Sequence, residues 1–228
     1  MDDPTVAGEE LTKSVDQLRI VNLLFGGYGA VFDALLPYMQ RNTTRTLRIL
    51  DVGTGLGDVP AFLMQNTGIR RWDVDMIGID HNIATVMEAR RYLDKRLDRT
   101  IATRISVHAA DATALPYPDK SFDIAMASMF LNHFSSRDAV AVVTEMDRVS
   151  RDGVLINDLH RFDLPYLAAA GLTRLLPATP MIRNDAPLSV ARGFTGPELY
   201  RIARKAGLTR VRIRWKWAFR WLLISGRL

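Results

Sequence analysis

Residues 49–60 read ILDVGTGLGDVP, and this stretch decides the fold. An apolar run ends at Asp51, three glycines follow at alternate positions, and Asp58 comes directly after the last glycine. A buried strand, a glycine turn and the start of a helix form the unit with which open α/β sheets hold nucleotides, because glycine lets the backbone approach a ligand. The stretch therefore predicts a nucleotide-type site at the end of the first strand.

The composition is typical of a globular chain, and we expect one domain over residues 1–228. There is no cysteine, which excludes disulfides, a cysteine nucleophile and a cysteine-based metal site. The net charge of +5 comes from dispersed arginines, a pattern that favours a solvated surface over a nucleic-acid track. The start MDDPTVAGEE is unlike a signal peptide, and the apolar run 221–224 is too short to span a bilayer. We therefore expect a cytoplasmic protein with no membrane or nucleic-acid partner.

Strand and helix patterns alternate from Leu47 onwards. Buried strands are predicted at 48–52, 73–79, 105–109, 122–127 and 153–157, and helices at 59–65, 83–97 and 139–149, with another helix beginning at Thr195. Such alternation indicates an open, mostly parallel sheet with helices on both faces. Two further strands, 211–217 and 220–224, have a short connection that predicts an antiparallel hairpin. In the first of them, Val211, Ile213, Trp215 and Trp217 alternate with basic residues, which predicts one buried face.

Two segments lie outside this alternation. Residues 1–45 are predicted to form an N-terminal helical cap, because apolar residues recur at helical spacing on both sides of Gly26-Gly27. Residues 161–192 contain four prolines and interrupt the strand and helix rhythm. Because open α/β sheets bind ligands at the carboxyl ends of their strands, we expect this insertion to cover a substrate pocket.

The carboxylates beside the glycines decide which nucleotide fits. A dinucleotide fingerprint places its third glycine inside the helix, whereas here Gly57 is followed at once by Asp58. A pyrophosphate would be repelled by Asp51 and Asp58, while a cationic amino group would be attracted. S-adenosyl-L-methionine carries an ammonium group, a sulfonium, a ribose and no phosphate, so it is the predicted cofactor. A nicotinamide oxidoreductase is disfavoured for the same reason.

Two later positions agree with this cofactor. Asp80 ends the second strand, where a carboxylate can accept both ribose hydroxyls. Asp111 and Ala112 follow the third strand, beside the expected adenine. Each aspartate alone is equally well explained as a helix cap or a turn residue. Their order along successive strands is what favours a cofactor site.

With these stretches in view, the chain resembles the class I S-adenosylmethionine-dependent methyltransferases. The resemblance is carried by LDVGTGLGD (50–58), IGID (77–80), AADATALPYPDKSFD (109–123) and MFLNHF (129–134). It implies a Rossmann-like sheet of seven strands whose last pair is the antiparallel hairpin. It also implies that the cofactor contacts Asp51, Gly53, Thr54, Gly55 and Asp58 at the methionine end, Asp80 and His81 at the ribose, Asp111 and Ala112 at the adenine, and Ser128.

A narrower similarity concerns the acceptor. The stretches EELTKSVDQLRIVNLLFGG (9–27), NDLHR (157–161) and RNDAPLSVARGF (183–194) are similar to bacterial small-molecule methyltransferases, many encoded beside type III polyketide synthases. This resemblance implies a phenolic or polyketide-type acceptor methylated at a hydroxyl oxygen, with a carbon or nitrogen target as the alternative. Such proteins often carry two histidines where this chain has Asn132-His133.

An acceptor hydroxyl must lose its proton, and a phenol is poorly ionised at neutral pH, so a base is expected. His133 follows the fourth strand and is the first candidate, although it equally suits a helix cap. His160 follows the fifth strand and is the second, with Asp158 as a candidate orienting partner. No metal site is predicted. An apolar pocket, or plain core, is predicted from Phe130, Phe134, Phe162, Tyr166 and Met181.

Other functions stay open at this point. A cytosine-methylating enzyme would need a cysteine nucleophile. An adenine-methylating enzyme usually has an Asn-Pro-Pro-Tyr-like turn after the fourth strand, where this chain has Ser128-Met129-Phe130-Leu131. A non-catalytic cofactor-binding protein is a further alternative, because fold does not fix function. The oligomeric state is also open, with a homodimer as one option.

Overall fold

The computed structural model describes residues 27–42, 44–66, 72–161, 193–217 and 219–228. At its centre is one seven-stranded sheet with strand order β3-β2-β1-β4-β5-β7-β6. The strands are β1 Leu47–Val52, β2 Val74–Asp80, β3 Ile105–Ala109, β4 Phe122–Ser128, β5 Ser150–Leu159, β6 Arg212–Lys216 and β7 Arg220–Ile224. Strands β1 to β5 pair in parallel, and β7 pairs antiparallel with both β5 and β6. The predicted sheet and its C-terminal hairpin are confirmed.

Helices follow the strands as the sequence pattern predicts. They are α1 Gly27–Arg41, α2 Asp58–Asn66, α3 Ile83–Arg96, α4 Arg99–Ala102, α5 Ser136–Val149 and α6 Gly196–Lys205, with a short 3₁₀ helix at Leu131–His133. Asn82 caps α3, because its side-chain oxygen accepts the N–H of Ala84 at 2.9 Å. Glu198 accepts the N–H of Thr195 at 2.9 Å, which completes a capping box at the start of α6.

The sheet separates two hydrophobic cores. One core contains residues of α1, α2 and α3, and the other contains residues of α5 and α6. Neighbouring residues on β1 enter opposite cores because side chains alternate along a strand. Ile49 belongs to the cluster that contains Leu93 of α3, and Leu50 to the cluster that contains Val143 of α5. The carboxyl ends of the parallel strands are thereby fixed along one edge of a three-layer structure.

One expectation about the last hairpin is wrong. Trp215 and Trp217 were predicted on a buried face, but they are 51% and 73% exposed. Strand β6 is the outermost strand and has β7 as its single sheet neighbour. The alternation of apolar and basic residues therefore predicts which side chains share a face of β6. It does not predict whether a helix or another segment packs on that face.

The described residues include only part of the two predicted accessory segments. Helix α1 is the second half of the predicted N-terminal cap, whereas residues 1–26 and 162–192 lie outside the described residues. The domain boundaries, the cap and the insertion therefore stay predictions. No helix within the described ranges is long and apolar enough to cross a membrane.

Candidate active site

The glycine turn after β1 is open on one side and closed on the other. Gly53 and Gly55 have φ angles of 73° and 55°, in the left-handed region that favours glycine. A Cβ on Gly53 would lie 2.0 Å from the ring of Phe130, whereas a Cβ on Gly55 would meet nothing within 4 Å. The backbone at Gly55 is therefore accessible to a ligand, while Phe130 closes the turn at Gly53.

Thr54, between these glycines, packs against the neighbouring strand. Its N–H donates to the carbonyl of Ile79 at 2.8 Å. A Cβ on Gly78 of β2 would lie 2.7 Å from Oγ1, 2.8 Å from Cγ2 and 2.9 Å from Cβ of Thr54. Gly78 therefore provides the space that Thr54 occupies, and the turn is held against β2.

Asp51 is a buried carboxylate near the end of β1. It is 2% exposed, and its Oδ2 accepts a hydrogen bond from the Thr54 hydroxyl at 2.7 Å. Burial raises the pKa of Asp51 to about 7, opposed by the Thr54 hydrogen bond and assisted by the negative charges of Asp58 and Asp80. A cationic ligand group placed here would favour the ionised carboxylate.

Asp58 begins α2 and is connected to α1. The Tyr28 hydroxyl donates to Oδ2 of Asp58 over 2.5 Å, and the Tyr28 ring stacks on Phe62 with centroids 4.9 Å apart. Tyr28 could not be predicted at this site, because no local sequence pattern connects position 28 with the glycine turn. The first turn of α1 therefore packs directly against the acidic turn.

Asp80 ends β2 and faces the same turn. Its Oδ1 accepts the N–H of Asn82 at 2.9 Å, and its Oδ2 accepts the N–H of Gly55 at 3.2 Å. These bonds fix the carboxylate beside the accessible backbone of Gly55. A carboxylate has about four lone-pair sites, so a carboxylate at the end of β2 is a suitable acceptor for ligand hydroxyls.

His81 and Asp111 lie at the β2–β3 part of this edge, and both are exposed. Oδ1 of Asp111 accepts the N–H and the hydroxyl of Thr113, each at 2.8 Å. These bonds lower the pKa of Asp111, and the charge of His81 lowers it further. Asp111 therefore stabilises a turn, the role that the sequence left open beside adenine binding. Ala112, which follows it, is buried in the core.

Ser128 and Asn157 connect the ends of β4 and β5. Nδ2 of Asn157 donates to Oγ of Ser128 at 2.9 Å and to the carbonyl of Gly27 at 3.4 Å. Met129 follows with φ 56°, a strained value for a residue other than glycine, and its N–H donates to the Asn157 carbonyl at 2.8 Å. Asn157 was not among the predicted site residues, although a polar residue near the end of an apolar strand could have indicated a role at this edge.

Asp158 anchors the 3₁₀ helix that carries His133. It is fully buried, and it accepts the Asn132 Nδ2–H at 2.7 Å and the Asn132 backbone N–H at 3.1 Å. Burial raises the pKa of Asp158, while hydrogen bonds from Asn132 and Leu159 and the charge of His133 lower it. His133 itself is exposed. The imidazole is therefore presented at the carboxyl edge of β4 on a turn that is tied to β5.

The predicted pairing of Asp158 with His160 is wrong. Among the contacts of the described residues, Asp158 binds Asn132 and the N–H of Leu159 instead. Positions 158 and 160 would share a face of a regular strand, but β5 ends at Leu159, and His160 instead forms an isolated bridge with Phe194. The His160 ring packs against Trp221 with centroids 4.8 Å apart, and burial lowers its pKa.

Arg220 is a buried cation at the same edge that the sequence analysis did not identify. It begins β7 opposite Leu159 of β5, and it is 2% exposed. Burial lowers the pKa of Arg220 to about 10, against the attraction of the Asp158 carboxylate. An arginine at the start of an otherwise apolar strand could have indicated a buried charge at this edge. Its charge partly balances Asp158 beneath the candidate acceptor side.

Two aromatic side chains of the predicted pocket meet at this side. The rings of Phe130 and Phe134 pack edge to face with centroids 4.9 Å apart. Phe162, Tyr166 and Met181 lie outside the described residues. Within the part of the chain that the structure describes, no group of three His, Asp or Glu side chains could hold a metal ion.

The turn fits a cationic ligand that carries hydroxyl groups. Asp51, Asp58 and Asp80 place three carboxylates around it, and the two others raise the pKa of Asp51. Asp80 already accepts the Gly55 N–H that a phosphate would need. An ammonium group and a ribose match the charge and the acceptor capacity of these carboxylates, as S-adenosyl-L-methionine requires.

Comparison with known proteins agrees with this geometry. Residues 49–153 match a family described as a methyltransferase domain. The demethylmenaquinone methyltransferase of Roseiflexus sp. (strain RS-1) is 35% identical over 182 residues, covering 73% of this chain and 70% of that protein. Methyltransferase GfsG of Streptomyces halstedii is 32% identical over 179 residues, 75% of this chain and 56% of that protein. The 27-O-demethylrifamycin SV methyltransferase of Amycolatopsis mediterranei is 35% identical over 106 residues, 46% of this chain and 35% of that protein.

A solved structure shares the fold. The magnesium protoporphyrin IX methyltransferase of Synechocystis PCC 6803, with bound SAH, superposes with a TM-score of 0.60 at 15% identity, covering 89% of this chain and 84% of that chain. The sheet order, the acidic glycine turn and the Roseiflexus relative together show that the chain belongs to the class I S-adenosylmethionine-dependent methyltransferases. Its cofactor is S-adenosyl-L-methionine. The chain spans little more than half of GfsG and about a third of the rifamycin enzyme.

Proposed function

We propose that this protein methylates a hydroxyl oxygen of a small aromatic acceptor of phenolic or polyketide type. The observation that carries the proposal is the position of His133, exposed on a turn that Asp158 anchors. Phe130 lies in the same turn, and its ring also closes the glycine turn at Gly53. A basic side chain and an aromatic surface therefore lie beside the cofactor turn.

In this proposal the cofactor lies along the carboxyl edge from β1 to β4. Asp51 and Asp58 face its ammonium group, with the backbone from Gly53 to Gly55 close to it. Asp80 accepts the ribose hydroxyls beside His81. The adenine lies next to Asp111 and Ala112, and Ser128 faces the cofactor from the end of β4. The fixed carboxylates at Asp51 and Asp80 support this assignment.

The bound cofactor supplies a methyl group that its sulfonium activates. The chain must align the acceptor oxygen and take its proton, because a phenol with a pKa of about 10 is largely neutral at pH 7. His133 accepts that proton, and Asp158 anchors the turn that carries the imidazole. His160, whose pKa is lowered by burial, is the second candidate base.

Carbon methylation of a hydroxylated quinone-type ring is the second candidate reaction. The relative of which this chain covers 70% is named a demethylmenaquinone methyltransferase. The same base would serve, because removing a ring hydroxyl proton increases the electron density at the neighbouring ring carbon. Nitrogen methylation of a small metabolite and RNA methylation have no comparable support in the described geometry.

The test is an acceptor panel with cofactor carrying a ¹³C-labelled methyl group. The panel contains simple phenols, reduced hydroxynaphthoquinones and bulk tRNA, and ¹³C NMR distinguishes an oxygen-bound from a carbon-bound methyl group. We expect an oxygen-bound methyl signal from a phenol, lost in His133→Ala and retained in the control His108→Ala on β3. A carbon-bound signal selects the second candidate. Preferential labelling of tRNA, or no labelling of any acceptor, contradicts the proposal.

A further inference from the structure

A cavity lies at the edge of the sheet opposite the glycine turn, where the parallel strands begin. It has a volume of about 330 Å³, and its lining includes four arginines, Arg41, Arg45, Arg151 and Arg227. They come from the end of α1, the segment before β1, the start of β5 and the turn after β7. We call this the arginine cavity. The whole length of the sheet separates it from the glycine turn.

Two buried carboxylates hold the arginines in place. Nη1 of Arg45 lies 2.6 Å from Asp123, and its Nη2 lies 3.4 Å from Asp152. Nη1 of Arg151 lies 3.1 Å from Asp123, and Nη1 of Arg227 lies 3.4 Å from Asp152. Asp123 and Asp152 are only 2% and 7% exposed, so the guanidinium groups are held by two buried carboxylates.

Positive charge exceeds negative charge in this group. Four guanidinium groups face two carboxylates, which leaves two positive charges unbalanced. The side chains of Arg151 and Arg227 are 54% and 76% exposed. A guanidinium has five N–H donors, and the hydrogen bonds to neighbouring residues use two on Arg151 and one each on Arg41 and Arg227. Donors therefore remain for a ligand that enters the cavity.

We propose that the arginine cavity binds a phosphate or diphosphate group of a second ligand, distinct from the cofactor. An oxyanion with two or more negative charges matches the two unbalanced positive charges. Guanidinium forks bind phosphate oxygens in pairs, and forks held by buried carboxylates lose little freedom on binding. The three carboxylates around the glycine turn repel the same group, so the two edges of the sheet select ligands of opposite charge.

The test measures binding of inorganic diphosphate by titration calorimetry at constant ionic strength, with S-adenosylhomocysteine present to fill the cofactor site. The informative variant is Arg41→Gln/Arg227→Gln. Arg45 and Arg151 are left intact because their loss would leave the buried charge of Asp123 without its partners. The matched control is Arg137→Gln/Arg201→Gln, which removes two exposed arginines of α5 and α6.

We expect saturable one-to-one binding by the wild type, weakened on the order of 10- to 100-fold in Arg41→Gln/Arg227→Gln and unchanged in the control pair. Arg41→Lys/Arg227→Lys keeps the charge, removes the fork and should give an intermediate affinity. Equal weakening in the informative and control pairs would show diffuse attraction to a basic protein and overturn the proposal.

The phosphate group could belong to a lipid headgroup or to a soluble ligand, and a second experiment distinguishes the two. Sedimentation with phosphatidylcholine vesicles that contain phosphatidic acid tests a lipid headgroup, and the calorimetry tests a soluble ligand. Loss of either interaction in Arg41→Gln/Arg227→Gln alone supports the site and assigns its source. No saturable binding of diphosphate and no sedimentation with the vesicles overturns the proposal.

Discussion

Asp158 and Asn132 form a two-point contact in which one buried carboxylate accepts both the side-chain and the backbone N–H of the same residue, at 2.7 and 3.1 Å. The two bonds fix the side chain of Asn132 and the peptide that precedes it, so the residue directly before His133 is held in place. The position of the candidate base therefore depends on a side chain in another strand.

Asp158→Asn should weaken this contact, because an amide nitrogen cannot accept the N–H that the replaced oxygen accepts. We expect the free energy of unfolding to fall by about 1–3 kcal/mol, the usual cost of leaving a buried donor unsatisfied. We also expect turnover to fall while the affinity for S-adenosylhomocysteine stays unchanged. Urea denaturation and calorimetry measure these quantities, with the exposed Asp94→Asn of α3 as control. Unchanged stability of Asp158→Asn would show that the contact is dispensable.

His133→Ala should lower turnover with a phenolic acceptor by roughly 10²–10⁴-fold and leave cofactor affinity unchanged. Raising the pH towards the pKa of the phenol should partly restore the rate, because the acceptor then ionises without a base. Initial rates across pH measure both effects, and His108→Ala, an exposed histidine of β3, is the matched control. Full activity of His133→Ala at neutral pH would reject this residue as the base and direct the same experiment to His160.

Asp51 should make cofactor affinity depend on pH. Without cofactor its carboxyl binds a proton below about pH 7, because its pKa is raised to about 7 by burial. A bound ammonium group favours the ionised form, so the affinity for S-adenosylhomocysteine should increase as the pH rises from 5.5 and level off above 7. The limiting slope is about tenfold per pH unit. Asp51→Asn should abolish this slope, and an identical slope in that variant would assign it to another group.

The same raised pKa also affects stability. The unfolded carboxyl ionises near its ordinary value of about 3.9, whereas the folded one retains its proton until about pH 7. The contribution of Asp51 to the stability of the cofactor-free protein is therefore fully present below about pH 4 and is lost as the pH rises through 7. The difference in free energy of unfolding between wild type and Asp51→Asn should therefore change between about pH 4 and 7 and stay constant above that range. Urea denaturation between pH 4 and 8 measures it, and a difference that does not change with pH would show that another group dominates.

Asp80→Ala should weaken cofactor binding by roughly 2–4 kcal/mol, because two ribose hydroxyls lose their acceptor. Loss of the bond from the Gly55 N–H should also loosen the glycine turn. Calorimetry with S-adenosylhomocysteine measures the effect, and Asp94→Ala on the exposed face of α3 is the control. An unchanged dissociation constant would remove Asp80 from the proposed site.

Local patterns were sufficient to predict much of the fold. Strand β7 has the predicted bounds Arg220–Ile224, and the helix predicted to begin at Thr195 is capped by that residue. These features depend on residues a few positions apart, whose periodicity and capping chemistry are visible in one sequence. The strand patterns and the family resemblance agreed on seven strands, the number that the sheet contains.

Contacts between distant positions were beyond the same reasoning. Tyr28 binds Asp58 and Asn157 binds Gly27, pairs separated by 30 and 130 positions. Nothing in a helical or strand period identifies which remote residue a polar side chain meets. The sequence therefore located the candidate cofactor carboxylates, which follow strands, but not the side chains that hold the acceptor side together.

The packing of Thr54 against Gly78 constrains how this protein can evolve. Even an alanine at position 78 would overlap Oγ1, Cγ2 and Cβ of Thr54, all within 3.0 Å, so only glycine at position 54 relieves the overlap completely. That change removes the hydroxyl that donates to Asp51. The two positions are therefore epistatic. To avoid the overlap, a substitution of Gly78 by a larger residue must be preceded by Thr54→Gly. The intermediate variant lacks the hydroxyl donor of the Asp51 carboxylate.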